Sequence, residues 1–293
     1  MKQTKANKSK YVAWIFLPCI IAFVLQTMFS IMAIEGAAVI TMGSFTGGGF
    51  VELTNSVLEL LQSDFINLVY VGYTIFTILI LGFVYKSMFK EDANLSLRNK
   101  STNIPLTIVG IVLFCISMQY VSVYLMNALA SAFPSWLEEY EQIMETAGLD
   151  EALSPIMAIY ALVLGPICEE FIFRGVTFSA AKRVMPYYMA IIVQAILFGA
   201  FHMNAIQGCY AFVLGLGMGY IMYLYDNLII TIIIHMAYNI LGTVASEYLP
   251  MGGDTLVSFF VCCLGALIIT YISLIILKRT AVSVKQDNSS ADI

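Results

Sequence analysis

Residues 165–175 read Gly165-Pro166-Ile167-Cys168-Glu169-Glu170-Phe171-Ile172-Phe173-Arg174-Gly175, three ionisable side chains inside an apolar run that covers about 153–178. A run of that length crosses a bilayer as a helix, for which roughly 20 apolar residues suffice. Comparable runs lie near 12–34, 65–85, 104–131, 187–203, 208–225, 228–246 and 255–277. The chain therefore reads as an all-α, polytopic membrane protein of about eight transmembrane helices, with its tightest connection at 203–208. Composition agrees. Of 293 residues, 60% are apolar and 11% charged, and the mean hydropathy is +0.87, whereas soluble domains average ~45–50% apolar and ~25% charged. A water-soluble domain and a disordered chain are excluded, and 14 Lys+Arg against 19 Asp+Glu argue against a nucleic-acid partner.

Charge placement orients the spans. Lys2, Lys5, Lys8 and Lys10 precede the first run; Lys86, Lys90, Arg98 and Lys100 follow the second; Lys182 and Arg183 follow the fourth; Lys278, Arg279 and Lys285 follow the eighth. By the positive-inside rule all of these lie on the cytoplasmic side when the N-terminus does, and an even number of spans returns the C-terminus there. The connections 35–64, 132–152 and 247–254 hold no Lys or Arg. They carry Glu35, Glu52, Glu59, Asp64, Glu138, Glu139, Glu141, Glu145, Asp150, Glu151, Glu247 and Asp254, and are expected outside. Within 132–152, Trp136, Leu137, Tyr140, Ile143 and Met144 interleave with glutamates in the pattern of an amphipathic helix on the outer surface.

The expected organisation is a basic cytoplasmic N-terminus over 1–10, then three spans and the external amphipathic segment over 11–152. A helical core follows over 153–246, then a last span over 247–277 and a short polar cytoplasmic tail over 278–293. Cys19, Cys115, Cys168, Cys209, Cys262 and Cys263 fall in apolar stretches without CxxC spacing and read as small buried hydrophobes. Ala211-x-x-x-Gly215-x-x-x-Gly219 reads as a small-residue stripe for helix packing rather than a nucleotide loop.

Ionisable groups deep in a membrane cost several kcal/mol, so each is a candidate for function. Besides Glu169, Glu170 and Arg174, the deep ones are His202 and His235, which are the chain's two histidines. Glu170 and Arg174 are four apart and share a helix face, which makes them the expected ion pair, while Glu169 points about 100° away. An unpaired carboxylate is the better general base, and the break at Gly165-Pro166 is expected to kink the span and admit water beside it. His235 and Asn239 are also four apart and could direct two donors at one oxygen, as an oxyanion hole does. His202 would share a water with Glu169. Each group has an ordinary alternative. A single membrane histidine is often an interhelical hydrogen-bond partner, and Glu170–Arg174 serves structure as readily as chemistry.

The motifs Glu169-Glu170-x-x-x-Arg174, Phe198-x-x-x-His202 and His235-x-x-x-Asn239, in that order on separate spans, resemble those of the CPBP family. These are the CAAX-protease and bacteriocin-processing membrane proteins, also called Abi proteins. The resemblance covers roughly 153–246. It implies an intramembrane endopeptidase of the cell membrane that hydrolyses a peptide bond in a membrane-associated or lipidated protein or peptide, with membrane lipid and that substrate as partners. By resemblance Glu169 and His202 activate water, His235 and Asn239 hold the oxyanion, and Glu170 and Arg174 support the site. No cofactor is implied. Two histidines and a glutamate also match the ligand set of catalytic zinc, so a zinc-dependent variant is the alternative, although the HExxH spacing is missing. A non-catalytic immunity or scaffold protein is the other reading. A proton-coupled transporter is disfavoured because the Gly-Pro break in span 4 has no counterpart in spans 5–8.

Overall fold

The computed structural model describes residues 2–45, 47–61, 63–93, 95–97, 100–146, 153–244 and 255–282. The expectations for Arg98, Asp150, Glu151, Glu247, Asp254 and the tail from 283 lie outside the described residues. The fold is all-α, and among the described residues extended pairing is limited to one isolated bridge, Ser101 with Ala281. The helices are α1 (Lys2–Ser44), α2 (Phe50–Leu61), α3 (Asp64–Met88), α4 (Ile104–Ala132), α5 (Pro134–Thr146), α6 (Pro155–Ala181), α7 (Tyr187–Phe201), α8 (Ala205–Tyr225), α9 (Leu228–Val244) and α10 (Leu256–Thr280). Six of them, α1, α3, α4, α6, α8 and α10, are long and apolar enough to cross a membrane. Helices α7 and α9 are apolar but shorter, and stand where the fifth and seventh spans were expected. The protein is a multi-pass membrane protein.

The 203–208 connection is as short as the spacing implied, and its chemistry is local. His202 ends α7, Met203 takes a left-handed conformation at φ 55°, and Asn204 caps α8 by accepting from Gln207 N at 3.0 Å. So tight a return presses α7 and α8 together, which the small residues permit. A Cβ on Gly199 would lie 2.5 Å from the Gly208 carbonyl oxygen, and one on Gly215 would meet Ala195 at 3.1 Å. Gln194, fully buried between them, donates to Ile191 O and Gly215 O at 2.8 and 2.7 Å.

The connections that carry Lys and Arg meet at one end of the bundle. Asp92 pairs with both Lys182 and Arg183, Lys182 also reaches Asp226 at 3.3 Å, and Lys100 Nζ donates to Asp226 O at 2.9 Å. Arg183 lies over the rings of Tyr11 and Phe89, which brings the first turns of α1 to the same end. Thr102 N donates to Thr280 O at 2.8 Å and ties in the end of α10. At the opposite end Ser154 caps α6 and bonds Asp64 at the start of α3.

Candidate active site

The break expected at Gly165-Pro166 takes the form of two π-helical stretches in α6, Tyr160–Leu164 and Phe171–Thr177, flanking an α-helical Gly165–Glu170. Widening by one residue is how the helix absorbs a proline. Gly165 N–H turns back to Tyr160 O, and Pro166 has no N–H to offer Ala161 O. That carbonyl accepts instead from Asn239 Nδ2 on α9, at 3.1 Å. The proline therefore creates the acceptor that joins α6 to α9 beside the acidic pair.

Glu170 is fully buried, and its Oε1 accepts from Arg174 Nη1 at 2.9 Å. The same oxygen stands 2.9 Å from His235 Nδ1. Glu169 points elsewhere, with 24% of its side chain exposed, and its Oε2 is 3.5 Å from His235 Nε2. One imidazole thus spans both carboxylates. An oxygen already accepting from Arg174 accepts Nδ1–H as well, which aims Nε2 at Glu169. On the other side of α9, α4 braces the helix: Gln119 Nε2 donates to Tyr238 O at 2.6 Å, and Ser122 shares a hydrogen bond with the Tyr238 hydroxyl at 2.8 Å.

His235 and Asn239 share one face of α9, and in the structure both engage partners on α6. Both nitrogens of His235 face glutamates, and one amide hydrogen of Asn239 is given to Ala161 O. The four-residue spacing fixes a common face but says nothing of partners on α6. Nor does any hydrogen bond or ion pair among the described residues join His202 to Glu169. His202 Nδ1 bonds Phe198 O at 2.9 Å, which makes it the protonated nitrogen and leaves Nε2 as an open acceptor. Among the described residues no three His, Cys, Asp or Glu side chains stand close enough to hold a metal ion together.

Phe198 is the residue whose role sequence reading missed. Arg174 Cζ sits 4.3 Å over its ring, and His202, His235 and Phe173 approach its edge or face with centroids at 5.1, 5.8 and 5.1 Å. Its ring joins all three motifs, a contact between spans that spacing within one span cannot disclose. Arg174 is itself fully buried, with Nε and Nη2 lacking protein hydrogen-bond partners, so the aromatic face carries part of its charge. The open groove of about 500 Å³ along Ile196, Ala200, Met203 and Phe212 is apolar and holds none of the ionisable site residues.

The fold and site define a class, an all-α membrane protein with a carboxylate–imidazole–carboxylate array buried among its helices. Residues 151–241 match the family model for the Rce1-like type II CAAX prenyl endopeptidases, in agreement with the motif resemblance to the CPBP family. That match takes in α6 to α8, most of α9, and Glu169, Glu170, Arg174, Phe198, His202, His235 and Asn239, and at the family level it supports a CAAX-type intramembrane protease. No curated protein and no solved structure matches the chain.

Proposed function

We propose that the protein is an intramembrane endopeptidase that hydrolyses a peptide bond of a membrane-associated or lipidated peptide with Glu169 as general base. The observation that carries this reading is the unequal pair of adjacent carboxylates. Glu170 is locked between Arg174 and His235, whereas Glu169 is partly exposed and, among the described residues, has its ion-pair contact with His235 Nε2. Glu169 takes a proton from water as the hydroxide adds to the scissile carbonyl carbon, and His202 Nε2 accepts a hydrogen bond from the same water. His235 and the second amide hydrogen of Asn239 stabilise the resulting oxyanion. The C–N bond then breaks as the proton on Glu169 passes to the leaving amine. The substrate is of the CaaX type or a maturing peptide or bacteriocin, and the reaction uses no metal.

The test incubates detergent-solubilised protein with a fluorogenic farnesylated CaaX peptide, comparing wild type, Glu169→Ala, and wild type with a strong zinc chelator. Cleavage that survives chelation and is lost in Glu169→Ala is expected. Cleavage abolished by chelation and restored by zinc overturns the metal-free mechanism. Cleavage retained in Glu169→Ala overturns the role given to Glu169.

A further inference from the structure

Helix α9 presents His235 and Asn239 to α6, and its rotation about its own axis decides whether the imidazole lies between the two glutamates. Successive residues on a helix are about 100° apart, so a turn by one position removes His235 from both carboxylates. Apolar packing alone does not fix that rotation. Ile229, Ile230, Ile232, Ile233 and Ile234 are equal in size and distributed around the helix, and in a bilayer an isoleucine gains little by facing another helix instead of lipid. Bonds to particular polar groups do distinguish one rotation from the next.

Such bonds come from α4, which packs against a different face of α9. Cys115, Gln119 and Ser122 are four and three residues apart, share one face of α4 and are each at most 8% exposed. The Cys115 thiol donates to Ile234 O at 3.7 Å, Gln119 Nε2 donates to Tyr238 O at 2.6 Å, and Ser122 shares a hydrogen bond with the Tyr238 hydroxyl at 2.8 Å. Ile234 and Tyr238 immediately precede His235 and Asn239, so α4 holds the backbone one residue before each of them. Gly242 completes the seat. A Cβ there would lie 3.0 Å from Gln119 Nε2 and 3.2 Å from its Oε1, so the amide fills the space that the absent side chain leaves. Gln119 stands outside the residues 151–241 that match the family model, and it belongs to this chain's own contribution to the site.

We propose that Gln119 is a positioning residue for hydrolysis: seated on Tyr238 O against Gly242, it fixes the rotation of α9 and thereby the alignment of His235 between Glu170 and Glu169. Ser122 secures the same turn through the Tyr238 hydroxyl. Gln119 bonds the backbone of α9, so it acts through that helix and not on the reacting atoms. The role rests on the protease reading, whereas the contact through which it works does not.

The test assays the full chain in detergent, purified by size exclusion so that rates refer to folded protein, on the fluorogenic farnesylated CaaX peptide. Gln119→Leu keeps the volume and removes the donor. It is expected to lower kcat about 10–100-fold with KM within about twofold of wild type. Its melting temperature should move by only about 2 °C, because one interhelical hydrogen bond contributes little to stability in a membrane protein. An unchanged kcat, or a rise in KM at constant kcat, overturns the proposal. Should Gln119→Leu fail to fold, Tyr238→Phe removes the Ser122 bond alone; a fall in kcat of about 2–10-fold at constant KM is expected, and no fall overturns the proposal. The seat is read by a cycle of Gln119→Ala, Gly242→Val and the two together. Each single change is expected to lower kcat, and the double variant to be no slower than the slower single one, since the valine then has no amide to displace. Losses that multiply refute the seat. A wild type that cuts nothing refutes the protease reading and the positioning role with it, and the same cycle read in melting temperature then decides the contact alone, with additive shifts refuting it.

Discussion

Replacing Arg174 with methionine removes a guanidinium from the fully buried part of the site. Arg174 and Glu170 both have 0% side-chain exposure, and the carboxylate keeps His235 but no guanidinium as a partner once Arg174 is gone. Breaking a buried pair from one side costs about 3–5 kcal/mol, because an uncompensated charge stays behind. Loss of the Arg174–Phe198 contact, at 4.3 Å to the ring, removes about 2 kcal/mol more at most. Such a loss is a large part of the ~5–15 kcal/mol by which folded proteins are stable. Glu170→Gln in the same chain removes the stranded charge while its side-chain oxygen still accepts from His235. The double variant is therefore expected to regain about 2 kcal/mol over Arg174→Met alone, a coupling of the size that residues in contact display. The assay is thermal aggregation of detergent-solubilised protein followed by size-exclusion chromatography, which reports stability without a substrate. A double variant less stable than Arg174→Met would refute the reasoning, since it would show that the carboxylate is not stranded when its partner leaves.

Glu169→Gln is expected to melt within a degree or two of wild type, because its carboxylate is partly exposed and makes no strong bond, yet to lose cleavage of any peptide the wild type cuts. Asn239→Leu strands Ala161 O beside Pro166. A cost of about 1–3 kcal/mol in the same melting assay is expected, with Asn239→Ser recovering part of it. Gly199→Val places atoms where the Gly208 carbonyl oxygen would already lie 2.5 Å from a Cβ. It should therefore separate α7 from α8, lower the melting temperature and remove activity by displacing His202. Phe198→Leu keeps the apolar volume but not the ring. A drop in kcat larger than any change in KM is expected, because the groups it touches are Arg174, His202 and His235 rather than the substrate.

What was legible in the sequence is what repeats along one helix. Apolar runs gave the positions of α3, α4, α6, α8 and α10 to within a few residues, and Asn204 in a polar gap marked the 203–208 turn. Helix α1 ran beyond its expected limits of 12–34, over Lys2–Ser44. Four-residue spacing put Glu170 beside Arg174, and the structure shows them 2.9 Å apart. The same spacing put His235 and Asn239 on one face of α9 but gave no hint of their partners, which sit on α6. Which oxygen each donor meets depends on how two helices face each other, and on a π-helical register that Pro166 imposes only once the chain is folded. Phe198 was hidden for the same reason. Its neighbours come from α6 and α9, and no period within α7 points to them.

The two adjacent glutamates show why an EE pair is more useful here than one carboxylate. Consecutive residues on an α-helix diverge by about 100°, so Glu169 and Glu170 cannot share an environment. The one turned into the bundle meets Arg174 and a histidine nitrogen, and serves as the fixed end of the array. Its neighbour is left at the half-open side of α6, within reach of the other nitrogen of that same imidazole. Locking Glu170 therefore orients His235, and an oriented His235 presents Nε2 to Glu169. A fixed acceptor therefore stands on one side of the ring and a partly exposed carboxylate on the other.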